Sequence, residues 1–302
     1  MNRRSFLKLA AATPFAAMAV NAGSSESLAA CLVPGQRLSS TSTPILRVGY
    51  TAYGSRTADQ LDQLTGRKAE VVRVYHKQGA PVPTTAAGAK ILSQLQANRF
   101  VVLSLKVPDT SHATYNACDS LAADIKAKGY AASVWIVIWH EPFPEFTASQ
   151  YIARYTPLAP AIRRHGVACG VCFHTYPIWH KGLDYTTYWP GDSITDFMCI
   201  DTYPDDDKNN QGLHADPLAT ISPLTSFAKK HGKPFGIAEF AVYKTDAAND
   251  PAGARAWIES FQNLGHSCRL LSYFDDFGYG LEENNALLVP DYRADYDHFN
   301  PP

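Results

Sequence analysis

Eight short runs rich in Val, Ile, Phe and Tyr recur along this chain and constrain its fold more than any other feature. Each run has the length and composition of a buried strand. Successive runs begin about 32 residues apart, which is the length of a strand, a helix and two loops. The predicted strands are Arg47–Tyr53, Val71–His76, Phe100–Lys106, Ser133–His140, Val167–Tyr176, Ile194–Tyr203, Pro234–Val242 and Cys268–Phe274.

Helical patterns lie between these runs and complete the repeating unit. Several of them end at a glycine just before the next strand, which is the usual place for a helix C-cap. These glycines are Gly129, Gly166, Gly232 and Gly265. The predicted helices are Ala58–Leu64, Ala87–Gln96, Tyr115–Lys128, Ala148–Arg164, Leu218–Lys230 and Pro251–Leu264.

The predicted strands are almost continuously apolar, and 46% of the chain is hydrophobic, so both faces of the sheet are expected to be buried. Eight parallel strand–helix units of this kind close into a barrel. A doubly wound open sheet is the alternative, but no G-x-G-x-x-G or phosphate-binding loop follows the first strand. We therefore predict an α/β fold, a (β/α)8 TIM barrel, formed as a single domain by residues 44–302.

The N-terminus has the pattern of an export signal. Arg3 and Arg4 precede the apolar run Leu9–Val20, which is too short to span a bilayer and is followed by small residues. The paired arginines resemble the twin-arginine signal, which exports folded proteins, and an ordinary secretory signal is the alternative. We predict a signal peptide over residues 1–22, a Ser/Thr-rich linker over residues 23–43 and a secreted protein.

Six cysteines raise the questions of lipid anchoring, metal binding and disulfide formation. Cys31 ends a Leu-Ala-Ala-Cys sequence that resembles a lipidation site, although polar residues interrupt the apolar run before it. Cys169 and Cys172 have C-x-x-C spacing but lie in a predicted strand, where residues three apart face opposite sides. We therefore predict buried structural thiols there, and the sequence leaves open whether a disulfide forms.

The charge balance argues against some classes of partner. The chain has 27 Lys and Arg against 28 Asp and Glu, and no basic run lies beyond the extreme N-terminus. We predict no nucleic-acid partner, because no basic surface is available for a phosphate backbone. We also predict a monomer with no membrane span, cofactor or metal. Aromatic residues make up 12% of the chain, and such side chains line sites for polar ligands such as sugars.

Two glutamates stand at the ends of predicted strands. Glu141 follows the fourth strand and Glu239 lies near the end of the seventh, and either carboxylate alone could cap a loop or pair with an arginine. Catalytic groups of this fold lie at the C-terminal ends of the strands, and strands four and seven face each other across the barrel. The two glutamates are therefore predicted to flank one cleft, as the hydrolysis of a glycosidic bond requires.

Two motifs surround these glutamates. His140 directly precedes Glu141, and the run Tyr188–Asp192 (Tyr-Trp-Pro-Gly-Asp) leads into Ile200–Tyr203 (Ile-Asp-Thr-Tyr). On these residues the chain resembles clan A glycoside hydrolases, and most closely glycoside hydrolase family 26. The resemblance implies that Glu141 is the acid/base, that Glu239 is the nucleophile and that Tyr203 approaches the nucleophile.

Aromatic and histidine residues at the predicted strand ends are candidates for sugar contacts. Tyr176 and Trp179 follow strand five and offer flat faces, with loop packing as the alternative. In glycoside hydrolase family 26, which the chain resembles, a tryptophan at the end of strand eight forms a platform for a sugar. This chain carries Tyr273 near that position. The predicted substrate contacts are Trp139, His140, Tyr176, Trp179, Tyr203 and Tyr273.

The resemblance and the paired carboxylates predict a secreted retaining endo-glycosidase acting on a β-linked polysaccharide, namely mannan, xylan or mixed-linkage glucan. A non-catalytic glycan-binding barrel is one alternative, although such a protein would ordinarily lose one carboxylate. A metal-dependent barrel hydrolase is another, with ligands drawn from His140, His174, Asp201 and Asp275, but the first strand lacks the usual His-x-His. Asp205–Asp207 predicts a hydrated loop rather than a calcium site, because three adjacent residues cannot all aim at one ion.

Overall fold

The computed structural model describes residues 46–52, 56–264, 268–275, 281 and 285–299. The predicted signal peptide, linker and lipidation site at Cys31 lie outside these ranges, as does the predicted cap Gly265. None of the helices within the ranges is long and apolar enough to cross a membrane.

Eight parallel strands form a closed barrel in which each strand pairs with its neighbours in chain order. The barrel closes where β1 and β8 run side by side, from Arg47 opposite Leu270 to Ala52 opposite Asp275. This confirms the predicted (β/α)8 fold. The strands are β1 Arg47–Ala52, β2 Val71–His76, β3 Phe100–Leu105, β4 Val134–Ile138, β5 Ala168–His174, β6 Met198–Thr202, β7 Phe235–Phe240 and β8 Cys268–Asp275.

Helices cover the outside of the barrel, and every predicted helix is present with small shifts at its ends. The two largest shifts are five residues each. The second predicted helix starts at Leu92 rather than Ala87, because Lys90 adopts a positive φ of 59° that a helix cannot contain. The last predicted helix ends at Glu259 rather than Leu264, and a 3-10 helix over Ser260–Asn263 follows it. Three further helices, α5, α7 and α9, were not predicted. The helices are α1 Ala58–Thr65, α2 Leu92–Gln96, α3 His112–Ala127, α4 Ala148–Arg163, α5 Thr175–His180, α6 Pro217–Lys230, α7 Lys244–Asn249, α8 Pro251–Glu259 and α9 Asn285–Phe299.

The buried side chains form two layers because successive residues of a strand point to opposite faces. The inner layer fills the barrel, where the Trp135 ring stacks on Phe197 with ring centroids 4.1 Å apart. The outer layer lies between the strands and the helices. Cys169 belongs to the outer layer and Cys172 to the inner one, so the C-x-x-C pair is divided as predicted and both thiols are buried and free.

Close packing of the barrel strands requires glycine at particular positions. A Cβ on Gly49 would lie 1.8 Å from the carbonyl oxygen of Val71, and a Cβ on Gly170 would lie 2.5 Å from the Phe197 ring. Neither contact is possible without moving backbone or core atoms. Gly49 thus allows β1 to pack closely against β2. Gly170 leaves room for the Phe197 side chain inside the barrel.

Candidate active site

Three carboxylates meet at the C-terminal mouth of the barrel. Glu141 comes from the segment after β4, Asp201 from β6 and Glu239 from β7. One oxygen of each lies within 4.8 Å of one oxygen of each of the others. A register shift between Ile200 and Asp201 sets Asp201 directly opposite Glu239 on the neighbouring strand. The fold thus brings together the two glutamates that the sequence predicted at the C-terminal ends of strands four and seven. It also adds a third acid, Asp201, to the cluster.

Glu239 is almost completely buried, with 9% of its side chain exposed. Arg73 Nη1 lies 2.9 Å from its Oε1, and the Tyr203 hydroxyl donates a hydrogen bond of 2.5 Å to its Oε2. Burial raises the pKa of Glu239 to about 7, and the Arg73 charge opposes that rise. Both oxygens of the carboxylate therefore have a fixed partner, and the predicted approach of Tyr203 to Glu239 is present in the geometry.

Arg73 is fully buried in the barrel beneath these acids. Its Nη1 donates to Asp201 at 2.6 Å and its Nε donates to Ser104 Oγ at 3.1 Å. The guanidinium bridges Asp201 and Glu239, which compensates two buried negative charges with one positive charge. Arg73 was not among the predicted site residues, although a lone arginine in the apolar run Val-Val-Arg-Val of β2 is a sequence signal for a buried functional charge.

Glu141 is held by unusual backbone rather than by a strand. Trp139 and Glu141 have φ angles of 56° and 50°, in the left-handed region that such residues rarely adopt. The Glu141 amide donates to the Cys172 carbonyl of β5 at 3.0 Å, which anchors the segment. Its side chain remains 30% exposed. Burial raises the pKa of Glu141, while the nearby His174 opposes that rise.

The side chains of His140 and Trp139, in the same segment, pack against different neighbours. The His140 ring meets the Tyr75 ring edge-on at 5.0 Å, and its pKa is well below the usual range because of burial and the Arg73 and Lys106 charges, so the ring is neutral. Trp139 is buried in the outer layer, where it packs against Phe146 at 4.6 Å. The structure therefore places Trp139, predicted as a substrate contact, in buried packing against Phe146 and does not bring it together with the exposed Tyr176.

The segment after β5 carries the exposed aromatic surface. Tyr176 is 37% exposed and stacks on His180 with ring centroids 4.6 Å apart, so one flat face is supported by a second ring. Trp179 Nε1 donates to the Thr220 carbonyl at 3.0 Å, and its ring borders a cavity of about 200 Å³ that Asp207 and Gln211 also line. Tyr176 and Trp179 therefore remain candidates for sugar contacts.

Tyr273, predicted as a substrate contact, has no exposed surface in this structure. It is completely buried in the outer layer, between the Phe240 ring at 5.4 Å and the Tyr292 ring at 6.3 Å. Side chains alternate along β8, so the residue after Tyr273 points to the other face of the strand. The next residue, Phe274, faces the site instead, and its ring meets the Tyr203 ring edge-on at 6.3 Å.

The motif Tyr188–Asp192 stabilises a loop rather than lining the cleft. Asp192 accepts hydrogen bonds from Trp189 Nε1 at 2.8 Å, and the His231 ring nitrogen Nδ1 lies 2.7 Å from the same carboxylate oxygen. Lys233 donates to the Asp192 carbonyl at 2.7 Å. These contacts tie the segment before β6 to the end of α6, so the motif fixes the entry of β6 and, through it, Asp201 and Tyr203.

The ligands considered for a metal hydrolase do not assemble into one site. Asp275 accepts hydrogen bonds from Arg56 at 3.0 Å and from the Leu281 amide at 2.7 Å. The described residues that do converge are Glu141, Asp201 and Glu239, and two of these carboxylates already contact the Arg73 guanidinium. A cation at this cluster would compete with a buried arginine, which favours acid–base chemistry over metal binding.

No protein-family profile matches this chain, and no curated protein matches its sequence. Its structure resembles those of several enzymes. A family 26 β-mannanase from Bacteroides ovatus superposes with a TM-score of 0.55 and 14% identity over 85% of this chain and 89% of the other. A modular endo-β-1,4-mannanase from Cellulomonas fimi gives a TM-score of 0.58 and 15% identity over 83% of this chain and 70% of the other.

A third structure, an endo-β-1,4-glucanase from Xanthomonas axonopodis pv. citri, superposes with a TM-score of 0.55 and 11% identity over 83% of this chain and 99% of the other. At these identities the likeness concerns the backbone. The chain therefore has the (β/α)8 fold of family 26 mannanases and related glycoside hydrolases.

Proposed function

We propose that this protein is a retaining endo-glycosidase that hydrolyses a β-linked polysaccharide. The observation that carries the proposal is the placement of Glu141 and Glu239, whose nearest oxygens lie within 4.8 Å of each other at the barrel mouth. Retaining glycosidases hold their two carboxyl groups about 5–5.5 Å apart, whereas inverting enzymes need about 6.5–9.5 Å to admit a water molecule. The shared fold with mannanases and a glucanase supports the same reaction class.

The surroundings of the two glutamates divide their roles. Glu239 is buried against Arg73 and Tyr203, which position it as a carboxylate nucleophile. Glu141 is more exposed, and burial raises its pKa, which favours the protonated form needed to donate to a leaving group. The negative charge of Asp201 between them also favours a proton on Glu141.

The reaction then proceeds in two displacements. Glu239 attacks the anomeric carbon and forms an ester while Glu141 gives its proton to the departing glycosidic oxygen. In the second step Glu141 takes a proton from water, whose oxygen attacks the same carbon and releases Glu239. Two inversions at one carbon retain its configuration. His140, Tyr176, Trp179 and Tyr203 are the proposed sugar contacts around this carbon.

The substrate is proposed to be mannan, xylan or mixed-linkage glucan. Incubation of the purified protein with each polysaccharide is expected to release reducing ends from at least one of them, and the anomeric configuration of the fresh products, followed by NMR, should be that of the substrate. Inverted products would contradict the double displacement. Oligosaccharide binding with no release of reducing ends from any substrate would favour the non-catalytic glycan-binding barrel instead.

The acid limb of the pH profile of kcat/KM should follow the ionisation of Glu239. Its pKa of about 7 places the loss of kcat/KM on acidification near neutral pH, because a protonated nucleophile cannot attack. Replacing Arg73 with methionine removes the charge that favours the carboxylate, so the acid limb is expected to move to higher pH by about 1–3 units. Initial rates across a buffer series measure the shift.

Arg99→Met is a matched control for this prediction. Arg99 is also buried and pairs with two carboxylates, Asp59 at 2.6 Å and Asp62 at 2.5 Å, but on the outer side of the barrel. The Arg99→Met protein should be less stable than the wild type, but the acid limb of its kcat/KM profile should stay at the same pH. If the acid limb of the kcat/KM profile is unchanged in a folded Arg73→Met protein, Arg73 does not control the pKa of Glu239.

Secretion is proposed on the sequence of residues 1–22 alone. The paired Arg3 and Arg4 before an apolar run support export through the twin-arginine pathway. A polymeric substrate that cannot enter a cell is consistent with an exported enzyme. Lipid attachment at Cys31 is the alternative to free secretion.

A further inference from the structure

Asp206 is buried although it lies in a run of three aspartates that the sequence predicts to be hydrated. Only 3% of its side chain is exposed. Its Oδ2 accepts hydrogen bonds from Thr175 Oγ1 at 2.5 Å and from the Tyr203 amide at 2.8 Å. His174 Nε2 lies 3.0 Å from the same oxygen. The 3-10 turn Pro204–Asp206 thus presents a fixed carboxylate to the ring at the end of β5.

The other nitrogen of that ring faces the acid/base. His174 Nδ1 lies 3.4 Å from Glu141 Oε1. An ionised carboxylate only accepts hydrogen bonds, so Asp206 fixes the proton of His174 on Nε2. Nδ1 then has two states: it donates to an ionised Glu141 when the ring is charged, and it accepts from a protonated Glu141 when the ring is neutral.

We propose that His174, held by Asp206, is a positioning residue that supports Glu141 as a charged hydrogen-bond partner and favours its carboxylate form for the second displacement. The inference rests on the proposed function, since it assigns a role within that reaction. His174 itself exchanges no proton: Glu141 loses its proton to the leaving group and regains one from water, while His174 stays protonated and stabilises the carboxylate in between.

The surrounding charges agree with this role. Burial disfavours a charged His174 ring, but the hydrogen bond and charge of Asp206 together with Glu141 and Asp201 raise its pKa to about 9. Without this cation, burial and Asp201 would leave Glu141 difficult to ionise. Titratable and charged groups face the His174–Glu141 pair from every neighbouring element. They are Arg73 on β2, Lys106 after β3, Tyr176 on α5, Asp201 on β6, Tyr203 and Asp206 in the following segment, and Glu239 on β7.

Substitution of His174 by glutamine tests the role through the pH profile. Loss of a cation this close should raise the pKa of Glu141, so the alkaline limb of kcat/KM is expected to move upward by about one pH unit or more. With an aryl glycoside of an acidic phenol, whose departure needs no acid, the second displacement should slow at neutral pH and recover at higher pH, because Glu141 must be ionised to act as base.

His165→Gln is the matched control. His165 Nε2 lies 2.6 Å from Asp119 on the helical outside of the barrel, so this variant removes a histidine–aspartate pair without touching the site. Its profile should superpose on that of the wild type. If the His174→Gln profile differs from the wild type only by a constant factor at every pH, His174 is merely structural and the proposal is wrong.

An NMR titration of the histidine ring nitrogens provides a test that needs no turnover. In the wild type His174 should stay doubly protonated at pH 7, and in Asp206→Asn it should be neutral at that pH. A neutral His174 in the wild type would overturn the proposal even if the protein cleaves polysaccharides. A charged His174 in a protein that cleaves none would instead refute the proposed function and leave the His174–Asp206 pair as observed.

Discussion

Glu239→Ala should lose polysaccharide turnover by a factor on the order of 10⁴–10⁶ while oligosaccharide binding persists. The carboxylate supplies the attacking oxygen, and no other described side chain is placed to replace it beside both Arg73 and Tyr203. The aromatic surface at Tyr176 and Trp179 is untouched by the change, so affinity should fall little. Reducing-end assays and calorimetric titration with an oligosaccharide measure the two quantities.

Glu259→Ala serves as the control for this loss. Glu259 ends α8 on the outside of the barrel, so its removal should leave both turnover and binding at wild-type levels. A Glu239→Ala protein that retains more than a few per cent of wild-type turnover would show that the nucleophile lies elsewhere. Loss of binding together with turnover, in a variant that remains folded, would place Glu239 in sugar recognition rather than in chemistry.

Glu141→Ala should lower polysaccharide turnover by a factor of about 10²–10⁴, because the leaving oxygen then departs without a proton. An aryl glycoside with an acidic phenol should behave differently. Its leaving group needs no acid, so Glu239 still forms the ester, which then accumulates because no base activates water. Mass spectrometry of the protein should detect the added glycosyl group.

Azide should restore turnover of the aryl glycoside in the Glu141→Ala protein. Azide attacks without a general base and fits the space left by the missing carboxylate, so the product is a glycosyl azide of retained configuration. Glu239→Ala provides the contrast, since it forms no such ester and azide should give the opposite configuration if it reacts. Absence of both the stalled ester and the azide product in Glu141→Ala would show that Glu141 is not the acid/base.

Local sequence patterns were sufficient to predict the barrel. The apolar runs that became β2, β3 and β8 start where predicted, because a strand covered on both faces must be apolar along its length. The predicted sixth strand began too early, at Ile194, since Ile194 lies in a turn and the strand starts at Met198. Gly129, Gly166 and Gly232 adopt the positive φ expected of helix caps.

The site was predicted less completely, because its geometry depends on contacts between distant strands. Glu141 and Glu239 could be paired from the fold, since strands four and seven are opposite each other. The partnership of Arg73 with Asp201 joins residues 128 positions apart and leaves no local pattern. The prediction of a hydrated loop at Asp205–Asp207 was wrong for two of its residues for a related reason. Asp206 is buried by contacts to Thr175 and His174, which are distant in sequence, and Asp207 is buried where it accepts hydrogen bonds from the following backbone amides.

Asp206 also connects Glu141 and Glu239, the two proposed catalytic carboxylates, through contacts to one residue. One of its oxygens contacts His174, which faces Glu141, and the same oxygen holds the amide of Tyr203, whose hydroxyl meets Glu239. A displacement of the Pro204–Asp206 turn would therefore shift the partners of Glu141 and Glu239 together. The separation of two such carboxylates decides the stereochemical course of a glycosidase. Loss of the Asp206 carboxylate is therefore expected to disturb both sides of the cleft at once.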